Sequence, residues 1–371
     1  MSSRLSSVLG ALAVGGALAA AALLAPLGAQ APGQASADLV VTNGYVVTMN
    51  AARQVIDRGA VVVKDARIVA VGPADIAGQF TAAKVIDARG AIVMPGMVNA
   101  HTHVSMTPFR GLGDDVPDRL RKLIFPLEKA LVDRDLVYWG GLHGMVEMIE
   151  GGVTTFADMY YFEDEVARAA KAIGLRGVLG ETILDFPAPD APEPYGGFAY
   201  ARAFIEKFRG DPLVTPALAP HAPYSLDLER LKRVAREAEE LDVPVLMHVA
   251  EMTDEVATLR KQRNQSPVEY LDELGLLNRR LVAAHCIFVS PGDIDLLAAR
   301  GAGVAHAMVA NIKSAKGVAP ALDMFKKGVR VGLATDGPMS GNTLDIIGQL
   351  GYVAKLHKLD KKDRNVMPAV D

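Results

Sequence analysis

Short apolar runs alternate with longer amphipathic segments along most of the chain. Before residue 90 the runs are rich in β-branched residues and are separated by turns such as Asn43-Gly44, which predicts a small β-rich region over residues 38–90. From residue 91 the runs are almost wholly apolar, as buried parallel strands are. Eight of them are predicted strands: Ile92–Val98, Thr154–Asp158, Arg176–Ile183, Val214–Pro220, Pro244–Val249, Leu281–Ala284, Gly303–Ala305 and Val329–Ala334.

The segments between these runs repeat apolar residues at the period of an amphipathic helix. Predicted helices include Leu226–Glu240, Glu255–Leu274, Pro291–Arg300 and Ala319–Lys327. Alternating strands and helices in this number favour a (β/α)8 barrel over an open doubly wound sheet. The predicted fold class is therefore α/β, with a TIM-type barrel over residues 91–371 and the N-terminal strands of a small β-sandwich over residues 38–90.

Residues 1–37 have the pattern of an export signal. The one charged side chain, Arg4, precedes an apolar run from Val8 to Leu27, and small residues end at candidate cleavage sites after Ala31 and Ala37. Cleavage after Ala37 is the preferred interpretation. It predicts a periplasmic or secreted protein that is not attached to the membrane after the signal is removed. An uncleaved membrane anchor is the alternative, because roughly 20 apolar residues can span a bilayer.

The composition and charge of the chain exclude several classes of function. Half of the 371 residues are hydrophobic and 22% are charged, which is typical of a globular protein, and the net charge of −4 predicts no nucleic-acid partner. The single cysteine, Cys286, excludes an internal disulfide, a Cys-rich zinc module and a Cys-ligated iron–sulfur cluster. The sequence also contains no P-loop, no GxSxG motif and no HExxH motif.

Metal-binding side chains coincide with the ends of the predicted strands, where the chemistry of such a barrel is carried out. The first strand ends in His-Thr-His, and two residues that are two apart on a strand share one face. Later strands end in histidines and in one aspartate. The residues concerned are His101, His103, His221, His248, His285 and Asp336.

We interpret His101, His103, His248 and Asp336 as ligands of one divalent metal ion. Three imidazoles and a carboxylate suit Zn²⁺, with Fe²⁺, Mn²⁺ and Co²⁺ as alternatives. Such a site leaves room for a water whose pKa falls toward about 7 on zinc. No predicted strand end offers a lysine that could bridge two ions once carboxylated, so one ion is expected.

Two more residues near these strand ends have candidate catalytic roles. Glu251 follows His248 by three residues and is expected to protonate a ring nitrogen while the metal hydroxide attacks the adjacent carbon. The structural alternative is a helix N-terminal glutamate favoured by the helix dipole. His285 is expected to hydrogen-bond the hydroxide and the charge that develops on it.

These motifs resemble the amidohydrolase superfamily. The chain is most similar to the branch that contains triazine hydrolases and methylthioadenosine/S-adenosylhomocysteine deaminases. The segments that carry the resemblance are Pro95–His103, Ala219–Ser225, Met247–Glu251, Ala284–Cys286 and Ala334–Gly337.

The resemblance implies the same metal ligands and the same roles for Glu251 and His285. It also implies that Asp336 accepts a proton from water and passes it to the leaving amine. Two substrate-binding residues come from the resemblance alone: Glu128, which would contact substrate hydroxyls, and His221. Without it, Glu128 has the pattern of a solvated helix charge.

The chain departs from the family pattern at two places. Glu181 lies near the position of an arginine that would pair with the carboxylate of S-adenosylhomocysteine, and a glutamate there would repel that group. Only 35 residues follow Asp336, whereas family members continue with strands that complete the β-sandwich. We therefore expect a C-terminally short barrel and an exposed edge in the N-terminal strands.

The remaining candidates have structural interpretations. His143 is expected to pack or to lie on the surface, and Trp139 to pack. His357 lies among lysines and is expected on a solvated face, whereas Cys286 is expected to be a buried apolar side chain. The sequence is equally compatible with two interpretations of His306: it supports the site from nearby, or it has no role there.

The sequence predicts a metal-dependent hydrolase that deaminates an aromatic N-heterocycle, such as a purine, pterin or triazine-like ring. Its partners are the small heterocyclic substrate and water, and a homo-oligomer is compatible with the sequence. One alternative is a cyclic amide or imide hydrolase, or a dehalogenating hydrolase, with the same site. Another is a catalytically impaired remnant that binds metal without turnover.

Overall fold

The computed structural model describes residues 33–368, which divide into two compact units that meet in sequence at Pro95–Gly96. This division lies five residues beyond the predicted start of the barrel region. Residues 1–32, which hold most of the predicted export signal, lie outside the described residues. Within the described residues, no helix is both long enough and apolar enough to cross a membrane.

The first unit is one five-stranded sheet with the order β3-β2-β1-β4, in which β5 also pairs with β1. Its strands are β1 (Ala35–Val47), β2 (Val55–Lys64), β3 (Arg67–Pro73), β4 (Phe80–Asp87) and β5 (Ile92–Val93). The central strand β1 is antiparallel to β2 and parallel to β4 and β5. The preferred cleavage site lies inside β1, where Ala37 is buried and pairs with Ala82.

The hydrophobic core of this unit is small. Its buried apolar residues are Ala37, Val40, Val46, Ala60 and Val62. Other apolar side chains of the sheet, including Val69 on β3 and Val85 on β4, are exposed. The first unit is thus a single sheet with few buried side chains and with several exposed apolar ones.

The second unit contains eight parallel strands that follow one another around a barrel in chain order, which confirms the predicted (β/α)8 class. The strands are β6 (Met97–Thr102), β7 (Val153–Tyr160), β8 (Arg176–Ile183), β9 (Val214–Pro220), β10 (Val245–Val249), β11 (Leu281–His285), β12 (Gly303–His306) and β13 (Arg330–Leu333). Every residue of β10 is buried, as expected for a strand covered on both faces. The prediction of one strand over Ile92–Val98 was wrong, because Ile92–Val93 pairs with β1 in the first unit.

The α-helices of the second unit include those that cover the barrel strands, together with short helices at the strand ends. They are α1 (Phe125–Leu131), α2 (Arg134–Glu150), α3 (Glu163–Ile173), α4 (Gly197–Phe208), α5 (Leu228–Leu241), α6 (Thr253–Arg263), α7 (Pro267–Glu273), α8 (Pro291–Arg300), α9 (Met308–Lys313), α10 (Ala321–Lys326), α11 (Pro338–Gly341) and α12 (Ile346–Lys361).

The single helix predicted over Glu255–Leu274 is two helices, α6 and α7. Asn264 ends α6 in a left-handed conformation, with φ of 56°. Ser266 then begins α7 with a capping box to Glu269, and Pro267 occupies the first turn. A capping serine followed by proline favours a new helix start over continuation, so the sequence did contain the signal for this break.

Hydrogen bonds across the seam between β6 and β13 close the barrel. The Asn99 side chain donates to Thr335 Oγ1 at 2.7 Å and accepts from the Thr335 backbone N–H at 3.1 Å. The Asp336 backbone N–H donates to the carbonyl of His101 at 3.1 Å. These contacts place Asp336, three residues beyond the end of β13, beside the histidines at the end of β6.

Two side-chain predictions were wrong. Trp139 is 63% exposed on α2 and does not pack in the core. His357 is fully buried, because α12 turns it toward His306, whose ring centre lies 5.5 Å away. Cys286 is buried and His143 is exposed, in agreement with the sequence interpretation.

Candidate metal centre

The first two candidate ligands come from the end of β6. His101 is the fifth residue of the strand, and His103 is the first residue beyond it. The Nδ1 atom of His103 donates to the Met159 carbonyl at 2.6 Å. This bond to a neighbouring strand fixes the ring and directs Nε2 toward the other candidate ligands.

His248, near the end of β10, is held in the same way. Its Nδ1 donates to the carbonyl of His221 at 2.8 Å, and its backbone N–H donates to that same oxygen at 3.0 Å. A ring whose Nδ1 is bonded to a backbone carbonyl presents an unprotonated Nε2, which is the form that binds a metal ion. Two of the three histidines are therefore oriented by the backbone.

The predicted ligands converge on one point. Nitrogen atoms of His101, His103 and His248 all lie within 4.8 Å of one another. Asp336 Oδ1 lies 3.3 Å from His103 Nε2 and 3.8 Å from His101 Nε2. The Nε2 atom of His101 is buried and has no hydrogen-bond partner among the described residues. An orphaned nitrogen beside two imidazoles and a carboxylate fits a divalent cation.

The electrostatics of these groups also favour a cation. Burial lowers the pKa values of His101 and His248 well below the ordinary imidazole value, so both rings are neutral near pH 7. Burial also lowers the pKa of His103, but its hydrogen bond to Asp336 outweighs burial and raises this pKa to about 9. Burial raises the pKa of Asp336, yet the neighbouring imidazoles hold it well below its usual range. The site therefore keeps an ionised carboxylate beside two neutral rings, His101 and His248, and beside His103, with which it pairs.

Glu251 and His285 lie beside these ligands, where the sequence placed them. His285 Nε2 is 3.6 Å from Glu251 Oε1 and 4.0 Å from Asp336 Oδ2. The other ring nitrogen of His285, Nδ1, bonds the side-chain oxygen of Asn311 at 2.8 Å. His285 can therefore direct its Nε2 toward a reacting oxygen between the two carboxylates.

Three strand ends that carry these residues have an unusual backbone. Ala250, His285 and Asp336 have φ values of 49°, 72° and 60°. Non-glycine residues in the left-handed region cost free energy and are enriched at functional sites. The strained turns redirect the chain so that side chains beyond the strand ends face the barrel mouth.

A cavity of about 440 Å³ opens over this cluster and is lined by both substrate-binding candidates. Glu128 is buried on α1, and Tyr161 donates to its Oε2 at 3.2 Å. Burial raises the pKa of Glu128 to about 7. His221 lies in the wall with its ring centre 4.6 Å from that of His248. The interpretation of Glu128 as a solvated helix charge is therefore wrong.

The repulsion expected from Glu181 does not occur in the cavity. Glu181 is fully buried and is not among the residues that line the cavity. Its Oε2 accepts from the Glu163 backbone N–H at 3.2 Å, and the carboxyl of Asp190 lies next to it. The charge at position 181 therefore gives no reason to exclude a substrate that carries a carboxylate.

The sequence reasoning missed three residues that support the site. Asn99 ties β6 to β13, Asp158 accepts from the Val104 backbone N–H at 2.6 Å, and Lys316 donates a hydrogen bond to Glu251. Asp158 ends a predicted strand and Asn99 immediately follows another, so their positions were available as a signal. Lys316 follows a short helix, and no periodicity marks it.

Comparisons with known proteins support this site. A model of the amidohydrolase family matches residues 92–371. The 5-methylthioadenosine/S-adenosylhomocysteine deaminase of Syntrophobacter fumaroxidans is 42% identical over 340 residues, which cover 91% of this chain and 77% of that protein.

The chain belongs to the amidohydrolase family.

Solved structures agree with this membership. An adenosine deaminase from Xanthomonas campestris with bound zinc superposes with a TM-score of 0.87 at 37% identity, over 90% of this chain and 77% of that one. An atrazine chlorohydrolase from Arthrobacter aurescens complexed with zinc has a TM-score of 0.79 at 21% identity, over 87% and 77% of the two chains, and shares the fold. The predicted family is thus confirmed, and a divalent metal fits this amidohydrolase.

Proposed function

We propose that this amidohydrolase is a zinc-dependent hydrolytic deaminase of a purine nucleoside. The observation that carries the proposal is that the Glu251 carboxylate lines one cavity with His103, His248 and Asp336, three of the four candidate metal ligands. Hydrolytic deamination needs a nucleophilic water and a proton donor on adjacent atoms of the ring. The site offers both functions within a few ångströms.

Zinc is the proposed ion because the donor set is three imidazole nitrogens and one carboxylate. His101, His103, His248 and Asp336 would hold it. When bound there, the ion supplies Lewis acidity, which makes water nucleophilic near neutral pH. Fe²⁺ and Mn²⁺ accept the same donors and are the alternatives that metal analysis distinguishes.

The protein's own side chains move the protons. Glu251 takes up one proton of the attacking water and delivers it to the ring nitrogen, while the oxygen of that water forms a bond to the amine-bearing carbon. Asp336 accepts a proton from the attacking water and passes it to the amine. With a proton on both ring nitrogens, His285 donates from Nδ1 to Asn311 and from Nε2 to the oxygen as charge develops on it. The carbon–nitrogen bond then breaks, ammonia leaves, and the ring carries a carbonyl.

A nucleoside is the proposed substrate because the cavity combines this reactive cluster with a hydroxyl-binding wall. Glu128 and Tyr161 are hydrogen-bonded to each other there and can accept and donate to the hydroxyls of a sugar. Two of the similar proteins are named as deaminases of adenosine or of its thioether derivatives. This likeness favours an adenine ring over a pterin or a triazine.

An ammonia-release assay of the zinc-loaded protein tests the proposal. The panel contains adenosine, methylthioadenosine, S-adenosylhomocysteine, guanine, a pterin and an aminotriazine, together with a cyclic imide and a chlorotriazine. Ammonia release from at least one adenine nucleoside, at the highest kcat/KM of the panel, is expected. Ring opening of the imide or chloride release from the chlorotriazine, without ammonia release from any nucleoside, would contradict it.

A further inference from the structure

The Glu251 carboxylate has a partner that the reaction described above does not use. The Lys316 ammonium donates a hydrogen bond to Glu251 Oε1, and both side chains line the cavity. The Glu251 side chain is 10% exposed, whereas that of Lys316 is 29% exposed. A buried carboxylate is thus joined to a cation that reaches toward solvent.

Only one of the two Glu251 carboxylate oxygens accepts a hydrogen bond from a described residue. Lys316 bonds Oε1, and His285 Nε2 lies 3.6 Å from the same atom. No described residue donates a hydrogen bond to Oε2, which is available to a substrate. The backbone of this segment is also fixed, because the N–H groups of Ala250 and Glu251 donate to the Glu255 carboxylate at 2.9 and 3.0 Å. The remaining freedom of Glu251 is rotation of its side chain, and Lys316 restrains it.

The segment that carries Lys316 also orients His285. Asn311 bonds His285 Nδ1 through its side chain and accepts from the Lys316 backbone N–H at 2.9 Å through its carbonyl. Ala315 and Gly317 flank Lys316 with φ values of 54° and 127°, so the turn has a defined left-handed geometry. One short segment therefore contacts both side chains that act on the reacting atoms.

We propose that Lys316 is a positioning residue that holds Oε1 of Glu251 so that Oε2 faces the ring nitrogen of the substrate. This inference rests on the proposed function for its kinetic consequence, but not for its structural one. Freed from Lys316, the carboxylate rotates toward other donors in the site, and proton delivery slows. Misplacement of a catalytic group by about 1 Å can cost about 100-fold in rate.

Three substitutions of Lys316 separate charge from bulk. Lys316→Met and Lys316→Gln remove the ammonium and keep most of the volume, whereas Lys316→Arg keeps a cationic donor. Lys327→Met is the matched control, because Lys327 forms an exposed ion pair with Asp295 outside the cavity. For each zinc-loaded protein we would measure kcat, KM, metal content, melting temperature and a crystal structure without substrate.

We expect Lys316→Met and Lys316→Gln to lower kcat by about 10- to 100-fold, with KM within about threefold of the wild-type value. Lys316→Arg should recover most of the rate, and Lys327→Met should have the wild-type kcat. In the crystals, the Glu251 carboxylate should leave its wild-type orientation in the Met and Gln variants and keep it in the Arg variant.

The two readouts distinguish failure of this inference from failure of the proposed function. If the wild-type protein releases no ammonia from any nucleoside, the proposed function fails, and the crystals alone decide the role of Lys316. An unchanged Glu251 orientation in both neutral variants would overturn the inference. So would a kcat within twofold of the wild-type value in both, or a loss of kcat that Lys316→Arg does not restore.

Discussion

Replacement of Glu251 by glutamine tests the chemistry with little change of shape. Glutamine keeps the size of the side chain and its hydrogen bonds but cannot deliver a carboxylic proton. Glu251 is not one of the predicted metal ligands, so the variant should retain its metal. The change thus removes one chemical step and leaves the binding site in place.

The structure sets the size of the expected effects. A positioned general acid contributes about 10²- to 10⁴-fold to a rate, which is about 2.7–5.4 kcal/mol of transition-state stabilisation. The loss of stability should be small, because the Lys316 partner is 29% exposed and solvent can replace the ion pair. Glutamine keeps an oxygen that accepts from this ammonium, so the expected loss is about 1 kcal/mol, the net contribution of one hydrogen bond. For a unit of roughly 280 residues this corresponds to about 2 °C in melting temperature.

The assay is ammonia release from the best nucleoside substrate, with zinc content measured on the same samples. We expect Glu251→Gln to lose at least 100-fold in kcat and to hold one zinc ion per chain. A rate within fivefold of the wild-type rate would refute the role of Glu251 as proton donor. Loss of zinc together with activity would instead place Glu251 among the metal ligands.

Three further predictions follow from the metal centre, the buried carboxyls and the N-terminal segment. Zinc at about 100 times its dissociation constant should stabilise the chelator-treated protein by about 2.7 kcal/mol and raise its melting temperature by about 5 °C. If zinc raises the melting temperature of Asp336→Ala by the same amount, Asp336 is not a ligand. Burial beside Asp190 raises the pKa of Glu181, so its contribution to stability is present in acid and is lost as pH rises above the ordinary value of 4.5. Glu181→Gln should therefore melt higher than wild type at pH 8 but not at pH 4, and equal differences at both pH values would contradict this linkage. We also propose export: N-terminal sequencing of periplasmic protein should find a chain that begins after Ala31 or Ala37, whereas a cytoplasmic chain beginning at Met1 would contradict it.

The barrel and the ligand positions could be predicted because both depend on local patterns. Apolar runs mark buried parallel strands, and polar residues at their ends must face the same rim. His101, His103 and Asp336 were therefore expected together although more than 230 residues separate them. In the structure, the hydrogen bond between Asn99 and Thr335 across the seam between β6 and β13 brings Asp336 to the histidines.

Features that depend on tertiary contacts could not be predicted in this way. The lysines around His357 suggest a solvated helix, but the packing of α12 buries that one side chain. Glu181 was expected to face the substrate because the family resemblance puts a carboxylate-binding arginine near its position, yet the fold buries it beside Asp190. Lys316 follows a turn whose conformation no hydrophobic period reveals, so its contact with Glu251 is visible only in the folded chain.

The most direct test of the metal centre is a crystal structure of the zinc-loaded protein with anomalous diffraction measured at the zinc edge. We expect a single peak within about 2.0–2.2 Å of a nitrogen of His101, His103 and His248 and of a carboxylate oxygen of Asp336. A peak bound to other side chains, or no peak in a protein that still releases ammonia, would contradict the account.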